Sequence, residues 1–327
     1  WTFRKAPRFF DVVTYTGNGV AGREIAHDLG VAPGMMIVKR LDVDGKSWQV
    51  FHRTTTGTKA LWLNQNYVGT TDIAYWDNTN PTDSVFTVGD NSTVNNSGGS
   101  FVAYLFAHDP VGEDDDGMIA CGSFNMATTS STPEIDLGWE PQYVLTKRSG
   151  GTGGWKMVDS MRGFHSDYTN YSKILYPNTG GAEVNSGSHK ILANGFSYTS
   201  DDTGTYIYMA IRAPMMVEPE AGTDVFAVDN SNGSDIPAWT SGFPVDMVFL
   251  SDTTGDNHKI SSRLTGARVL ETDTAGVEVA QGSHEFDYSD GFYSATRSSV
   301  QYAHMFKRAK GFFDVVAYSG NSTAGRT

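Results

Sequence analysis

The chain is short of cysteine, of positive charge and of long apolar stretches, and each shortage removes a class of protein. Cys121 is the only cysteine among 327 residues. No intrachain disulfide can form, a cysteine-based zinc site is excluded, and stability has to come from packing. Lys and Arg number 24 against 37 Asp and Glu, a formal net charge of −13 with a pI near 4.9. A surface of that sign repels phosphate backbones, so nucleic acid is not an expected partner. No apolar run approaches the ~20 residues of a membrane helix, so no membrane insertion is expected. The opening Trp1-Thr2-Phe3-Arg4-Lys5 has none of the features of a signal peptide.

Catalytic signatures are missing too. There is no G-x-S-x-G nucleophile elbow, no H-E-x-x-H, no P-loop and no G-x-G-x-x-G at a strand-helix junction. The His residues are scattered without metal-ligand spacing, and the carboxylates lie mostly in turns, with no fixed pair of the kind that hydrolyses sugars. Glu113-Asp114-Asp115-Asp116 lacks the interleaved spacing of a calcium loop and reads as a solvated linker. The expectation is a non-enzyme with no catalytic residues, metal or cofactor.

What is there is turn chemistry and repetition. Gly occurs 36 times, with Ser, Thr, Asn and Asp between short apolar runs, a composition of many strands joined by turns. Phe9-Phe10-Asp11-Val12-Val13-Thr14-Tyr15-Thr16-Gly17-Asn18 is answered by Phe312-Phe313-Asp314-Val315-Val316-Ala317-Tyr318-Ser319-Gly320-Asn321, an offset of 303 residues. Weaker copies lie between. Leu29-Gly30-Val31-Ala32-Pro33 before Met35 to Arg40 matches Leu137-Gly138-Trp139-Glu140-Pro141 before Tyr143 to Arg148, and Gly242-Phe243-Pro244 leads Val245 to Leu250.

After each Pro an aromatic or His opens a further strand, at Trp48, Trp155 and His258. Aromatic-rich runs then close each copy: 101–106, 205–210 and 300–306. Met35 to Arg40, Lys59 to Leu63 and Val85 to Val88 are short, β-branched or aromatic, and bounded by Gly, Asn, Asp or Pro. The predicted fold is all-β: tandem β-sandwich, jelly-roll-like modules of about 100 residues, three per period. Residues 1–8 would finish a preceding module, 9–112, 117–215 and 222–308 form modules 1 to 3, and 309–327 begin another.

Several side chains stand out. Trp48, Trp62 and Trp155 are candidates for stacking on sugar rings, against the simpler reading that a recurring Trp in an alternating strand is core. Phe3, Phe9, Phe10, Phe312 and Phe313 flank the module junctions and are candidates for inter-module contact, because an isolated strand needs a neighbour for its backbone groups. Lys39-Arg40 and Lys147-Arg148 close strands, where they could pair with acidic side chains of a neighbouring module or snorkel. Asn-x-Ser/Thr sequons at Asn91, Asn95, Asn170, Asn232 and Asn321 are expected by chance in so Asn- and Ser-rich a chain.

The strings Phe9 to Gly19, His27 to Arg40 and Leu137 to Leu145 resemble a tandem-repeat domain of tail-fibre-like proteins of marine tailed bacteriophages. The likeness covers modules 1 and 2 and weakens in module 3, where Ser251-Asp252 stands in place of Lys-Arg. It carries over no catalytic residue. It implies a virion or extracellular appendage whose partners are neighbouring copies or modules end to end, with host-surface glycan or protein as a further contact. Three functions compete on the residues: a structural and adhesive fibre, a lectin-like carbohydrate-binding module array, and a polysaccharide depolymerase, the last lacking a visible carboxylate cluster.

Overall fold

The computed structural model describes residues 2–109, 117–166, 172–214, 216–231, 235–255, 258–266, 268–281, 284–297 and 300–318. The fold is all-β. In chain order the first strands are β1 (Phe10–Thr16), β2 (Arg23–Ala26), β3 (Pro33–Arg40), β4 (Gln49–His52), β5 (Lys59–Trp62), β6 (Thr70–Thr71), β7 (Val85–Val88) and β8 (Ser100–Ala107), with the helical turns α1 (Ile73–Trp76) and α2 (Ser92–Asn95) on either side of β7. Next come β9 (Ile119–Met126), β10 (Glu134–Asp136), β11 (Pro141–Arg148), β12 (Trp155–Asp159), β13 (Ser172–Ile174), β14 (Val184–Ser186), β15 (His189–Leu192), β16 (Gly195–Tyr198) and β17 (Gly204–Arg212). The last are β18 (Phe226–Asn230), β19 (Trp239–Thr240), β20 (Met247–Asp252), β21 (Lys259–Ser262), β22 (Arg268–Glu271), β23 (Val279–Ala280), β24 (His284–Glu285), β25 (Gly291–Ser294) and β26 (Gln301–Phe306).

The expected strands at 35–40, 59–63 and 85–88 are β3, β5 and β7, and the three aromatic runs are β8, β17 and β26. Trp48 falls just ahead of β4 rather than inside it. The chain divides into two compact units. Unit 1 comprises Trp1–Met157, Ile174–Val184 and Thr199–Arg212; unit 2 comprises Val158–Lys173, Asn185–Tyr198 and Ala213–Thr327.

Unit 1 is built on two antiparallel sheets. The first has the order β1-β8-β3-β4-β5-β6 and the second β12-β11-β17-β9. In both, the strand that opens the segment pairs with the strand that closes it, and the closing strand pairs with the strand led by Pro. Both also carry the same irregularity, a register shift between Pro33 and Met35 against β8 and between Pro141 and Tyr143 against β17. Proline has no amide to give to a ladder, so the strand slips by one residue as pairing begins.

β3 and β4 are buried along almost their whole length, because both of their faces are covered. On the inner face, Phe51 meets Trp76 of α1 edge-on at 6.1 Å, and the Tyr15 hydroxyl donates to the Val94 carbonyl at 2.6 Å. The outer face packs on the second sheet. Met35, Ile37, Val50 and Leu61 share one core with Cys121, Tyr143, Leu145, Ile207 and Met209. Polar ties cross the same layer: His52 Nε2 lies 3.0 Å from the Tyr208 carbonyl, and Lys59 Nζ donates to the Ser149 carbonyl at 2.8 Å. At Gly34 side chains press on the backbone, since a β-carbon there would stand 2.8 Å from Cys121 Cβ and Sγ and from His108 Cβ. Two sheets packed face to face over a shared apolar layer form a sandwich.

Unit 2 contains a third sheet, β18-β26-β20-β21-β22-β23, with the same strand order as the first. Its inner face covers Trp239, Phe243, Phe286 and Phe292, together with Val248, Leu250, Ala303 and Met305 from the sheet itself. β15 and β16 form a hairpin in the same unit, His189 opposite Tyr198.

Candidate functional site

The feature with the most distinctive sequence is a turn that the chain builds twice. In the first copy, Ala6 N donates to Phe10 O at 2.9 Å, and Ala6 O accepts from Phe9 N and Phe10 N at 3.2 and 3.1 Å. In the second, 303 residues on, Ala309 N donates to Phe313 O at 2.9 Å, and Ala309 O accepts from Phe312 N and Phe313 N, both at 3.1 Å. The rings follow. Phe3 lies 5.4 Å from Phe10 and Phe306 lies 5.4 Å from Phe313. Phe10 in turn stands 5.1 Å from Phe106 across the β1–β8 ladder, as Phe226 stands 5.0 Å from Phe306 across β18–β26.

A charge pair recurs with the turn. Lys5 Nζ is 2.7 Å from Asp11 Oδ1, and at the matching positions Arg308 Nε is 2.7 Å from Asp314 Oδ1. Burial works against ionisation of Asp11, but hydrogen bonds from Lys5 and from the amides of Asp28 and Val12 outweigh it and hold the carboxyl below its usual range. The hydrogen bond to Asp11 in turn raises the Lys5 ammonium. Arg8 sits in the left-handed region at φ 60° and Gly311, its counterpart, at φ 75°. Glycine adopts that conformation freely, whereas arginine there is held by a two-pronged ion pair to Asp109, 2.9 and 2.8 Å.

Of the candidate junction residues, Phe3 and Phe9 are half-buried against the core of unit 1 and Phe10 is buried within it. Phe312 is 44 % exposed, and Val316 and Tyr318 beyond it are exposed, whereas their counterparts Val13 and Tyr15 are half-buried in β1. Residues 313–318 thus have the turn and the rings, but among the described residues they form no strand and have no counterpart of β8.

The three candidate tryptophans meet in unit 1. The indole Nε1 of Trp155 donates to the Trp62 carbonyl at 2.7 Å, and the amide of Leu63, next to Trp62, donates to the Trp48 carbonyl at 3.0 Å. Trp155 is only 1 % exposed, so neither face of its ring is open to a ligand. Trp62 is half-buried and meets Tyr75 edge-on at 6.5 Å. Trp48 stacks on Tyr104 at 6.4 Å, with Lys39 Nζ 5.7 Å over its ring.

Other residues marked in the sequence have local duties. Arg40 forks onto Asp42 at 2.9 and 3.0 Å, which pulls the Asp42 carboxyl down to about 2. Arg148 reaches Asp202 at 3.3 Å, so the arginine of each Lys-Arg pair finds an acid close by, whereas Lys39 donates to the Lys46 carbonyl. Lys147 is buried, donates to the Arg148 carbonyl, and is pushed down to about 8 by burial and by Lys59. The Asn91 side chain caps α2, and that of Asn95 is buried and bonded to Val20 O and Gly89 O. The acidic run 113–116 and the sequons at Asn170, Asn232 and Asn321 lie outside the described residues. Among the described residues no group of three or more His, Cys, Asp or Glu could hold a metal, and no helix is long and apolar enough to cross a membrane.

Sequence reading missed three things here. The basic-acidic pair that recurs with the turn was visible in the 303-residue alignment at Lys5/Arg308 and Asp11/Asp314. The arginine just past the strand that follows Trp48 and His258, Arg53 and Arg263, was visible as well. Arg53 NH donates to Gly34 O at 2.9 Å and Arg263 NH to Asp246 O at 2.8 Å. The Arg8–Asp109 pair had no sequence signal, since its members lie 101 residues apart.

No curated protein matches the chain. A family profile described as a domain of unknown function, DUF7483, matches residues 6–214, from the alanine that closes the first turn to the proline after β17. That match spans more than half of the 327 residues, and the chain therefore belongs to the DUF7483 family.

Proposed function

We propose that this chain is a structural repeat segment of a long fibre, extracellular or on a virion, whose modules join end to end and whose outward surface contacts a host. The observation that carries the reading is the turn built twice, 303 residues apart, with the same hydrogen bonds, the same ring spacing and the same ion pair. A turn that exists to hand one β module to the next has reason to recur at the module period. An enzyme pocket has none.

On this reading the three sheets of like strand order are the cores of three jelly-roll-like modules per period, 9–112, 117–215 and 222–308. Residues 1–8 and 309–327 belong to the modules on either side. Each module needs its neighbour's Phe3-type ring to complete its edge, which gives longitudinal continuity without disulfides. The likeness to tail-fibre-like proteins of marine tailed phages agrees with this, as do the acidic surface and the lack of catalytic motifs. The chain has no enzymatic role on this reading and needs no cofactor.

Electron microscopy of the parent assembly tests it. Extended filaments with an axial repeat are expected; discrete compact particles without longitudinal continuity would sink the proposal. The lectin-like alternative rests on Trp48 and Trp62, since Trp155 is enclosed. A glycan-array signal lost in Trp48→Ala, with folding intact, would favour it over a purely structural fibre.

A further inference from the structure

In unit 1 the two sheets meet through equivalent faces. Outward from the first sheet point Met35 and Ile37 of β3 and Tyr104 and Phe106 of β8; the matching positions of the second sheet are Tyr143 and Leu145 of β11 and Met209 and Ile211 of β17. The register shift after each leading proline fixes this correspondence. Like face packs on like face, and residues along it, such as Val50 and Leu61, are fully buried.

The third sheet has the same strand order and the same face. Across it runs a transverse row: Val228 opposite His304, His304 opposite Phe249, Phe249 opposite Ile260 and Ile260 opposite Leu270. It is the counterpart of Val12–Tyr104–Ile37–Val50–Leu61 in the first sheet. A second row sets Phe226 beside Phe306 and Phe306 beside Met247, and a third sets Asn230 beside Tyr302 and Tyr302 beside Ser251. Here the face is open: Val228 is 50 % exposed, Leu270 48 %, Tyr302 40 % and Phe226 36 %. The first two rows keep the apolar pattern of a buried layer, although a solvent-facing sheet surface is ordinarily polar.

We propose that this face of β18, β26, β20, β21 and β22 is a self-association surface that packs on the same face of a second copy of the chain. Two observations select that occupant. The equivalent faces of the first and second sheets are already spent on each other, so the open like face is the third sheet's own. No Asp or Glu lies in the three rows, so chains of net charge −13 can meet there without opposing carboxylates. Because the surface is used twice, the contact is isologous and closes as a dimer. The inference concerns lateral pairing and stands whether or not the modules form a fibre.

The test is sedimentation of the full chain over a concentration series, for the unaltered protein and for the double variant Val228→Lys with Leu270→Lys. Both positions are about half exposed, and circular dichroism checks that the variant folds. The unaltered chain is expected to reach twice its 35.5 kDa mass at micromolar concentration and the variant to stay at 35.5 kDa. A control, Val277→Lys, 85 % exposed and outside the three rows, is expected to dimerise normally. Hydrogen exchange should slow on dimerisation in Met247–Asp252 and Gln301–Phe306. A chain that stays monomeric, a trimer, dimerisation of the double variant, or protection confined to other strands would each overturn the proposal.

Discussion

At the scale of single residues the inter-sheet layer of unit 1 is unforgiving. A β-carbon at Gly34 would stand 2.8 Å from three heavy atoms of Cys121 and His108, closer than packed carbons come. Gly34→Ala is expected to destabilise by roughly 1–3 kcal/mol, the usual cost of overpacking, seen as a lower urea midpoint with an unchanged slope. Burial pushes the imidazoles of His52 and His108 down to about 4, with Arg53 adding to the effect at both. In the unfolded chain each returns to about 6.5, so between pH 4 and 6.5 the unfolded state binds more protons. The stability they support is complete above pH 6.5 and is lost as pH falls toward 4. His52→Gln should flatten that fall, as measured by urea midpoints at pH 4.5 and 7.5. Truncation separates the tryptophans too: Trp155→Ala should cost about 3–5 kcal/mol, and Trp48→Ala, at a half-buried site, less. The repeating Trp was plain in the sequence and core was its simpler reading, as Trp155 proves to be; its hydrogen-bond partner was not legible, because the carbonyl belongs to Trp62, 93 residues away.

At the scale of elements the repeated turn sets two effects of similar size against each other. A non-glycine residue in the left-handed region costs about 1–2 kcal/mol, and a partly exposed ion pair returns about 1 kcal/mol or less. Arg8→Ala keeps the strain and loses the pair, whereas Arg8→Gly loses both, so the alanine variant should be the less stable by about 1 kcal/mol, as read from thermal or urea unfolding. Strands such as β3, β5, β7 and β8 were legible because their runs are apolar and their ends carry Pro, Gly or Asp. The pairing of β1 with β8 and of β3 with β8 was not, since ladder partners as distant in the chain as Phe10 from Phe106 and Arg40 from Phe101 leave no local mark. The leading proline of β3 and β11 was read as a boundary, and it also marks the register slip common to both sheets.

At the scale of the molecule, two copies of one strand differ in their company. Phe10 to Tyr15 is paired and covered; Phe313 to Tyr318 repeats its sequence but for Ala317 in place of Thr14, with Tyr318 80 % exposed. A protein extended through one further period should protect amides 313–318 from hydrogen exchange as fully as amides 10–15, and equal lability in the short and extended forms would argue against end-to-end continuity. The period itself was legible from residues 9–23 alone. A β-sandwich was legible too; that its two sheets come from Phe10–Ala107 and Ile119–Arg212 was not, because each face reads as ordinary core until a partner is seen on it.

The lone cysteine gives this architecture a built-in reporter. Cys121 is fully buried in the layer between the first and second sheets, with its thiol pushed up by burial. A thiol reagent can reach it only when those sheets part, so its labelling rate in native buffer clocks their opening. With no other sulfhydryl in the chain to confuse the signal, one colorimetric trace distinguishes a sandwich that breathes from one that opens only when the whole protein unfolds.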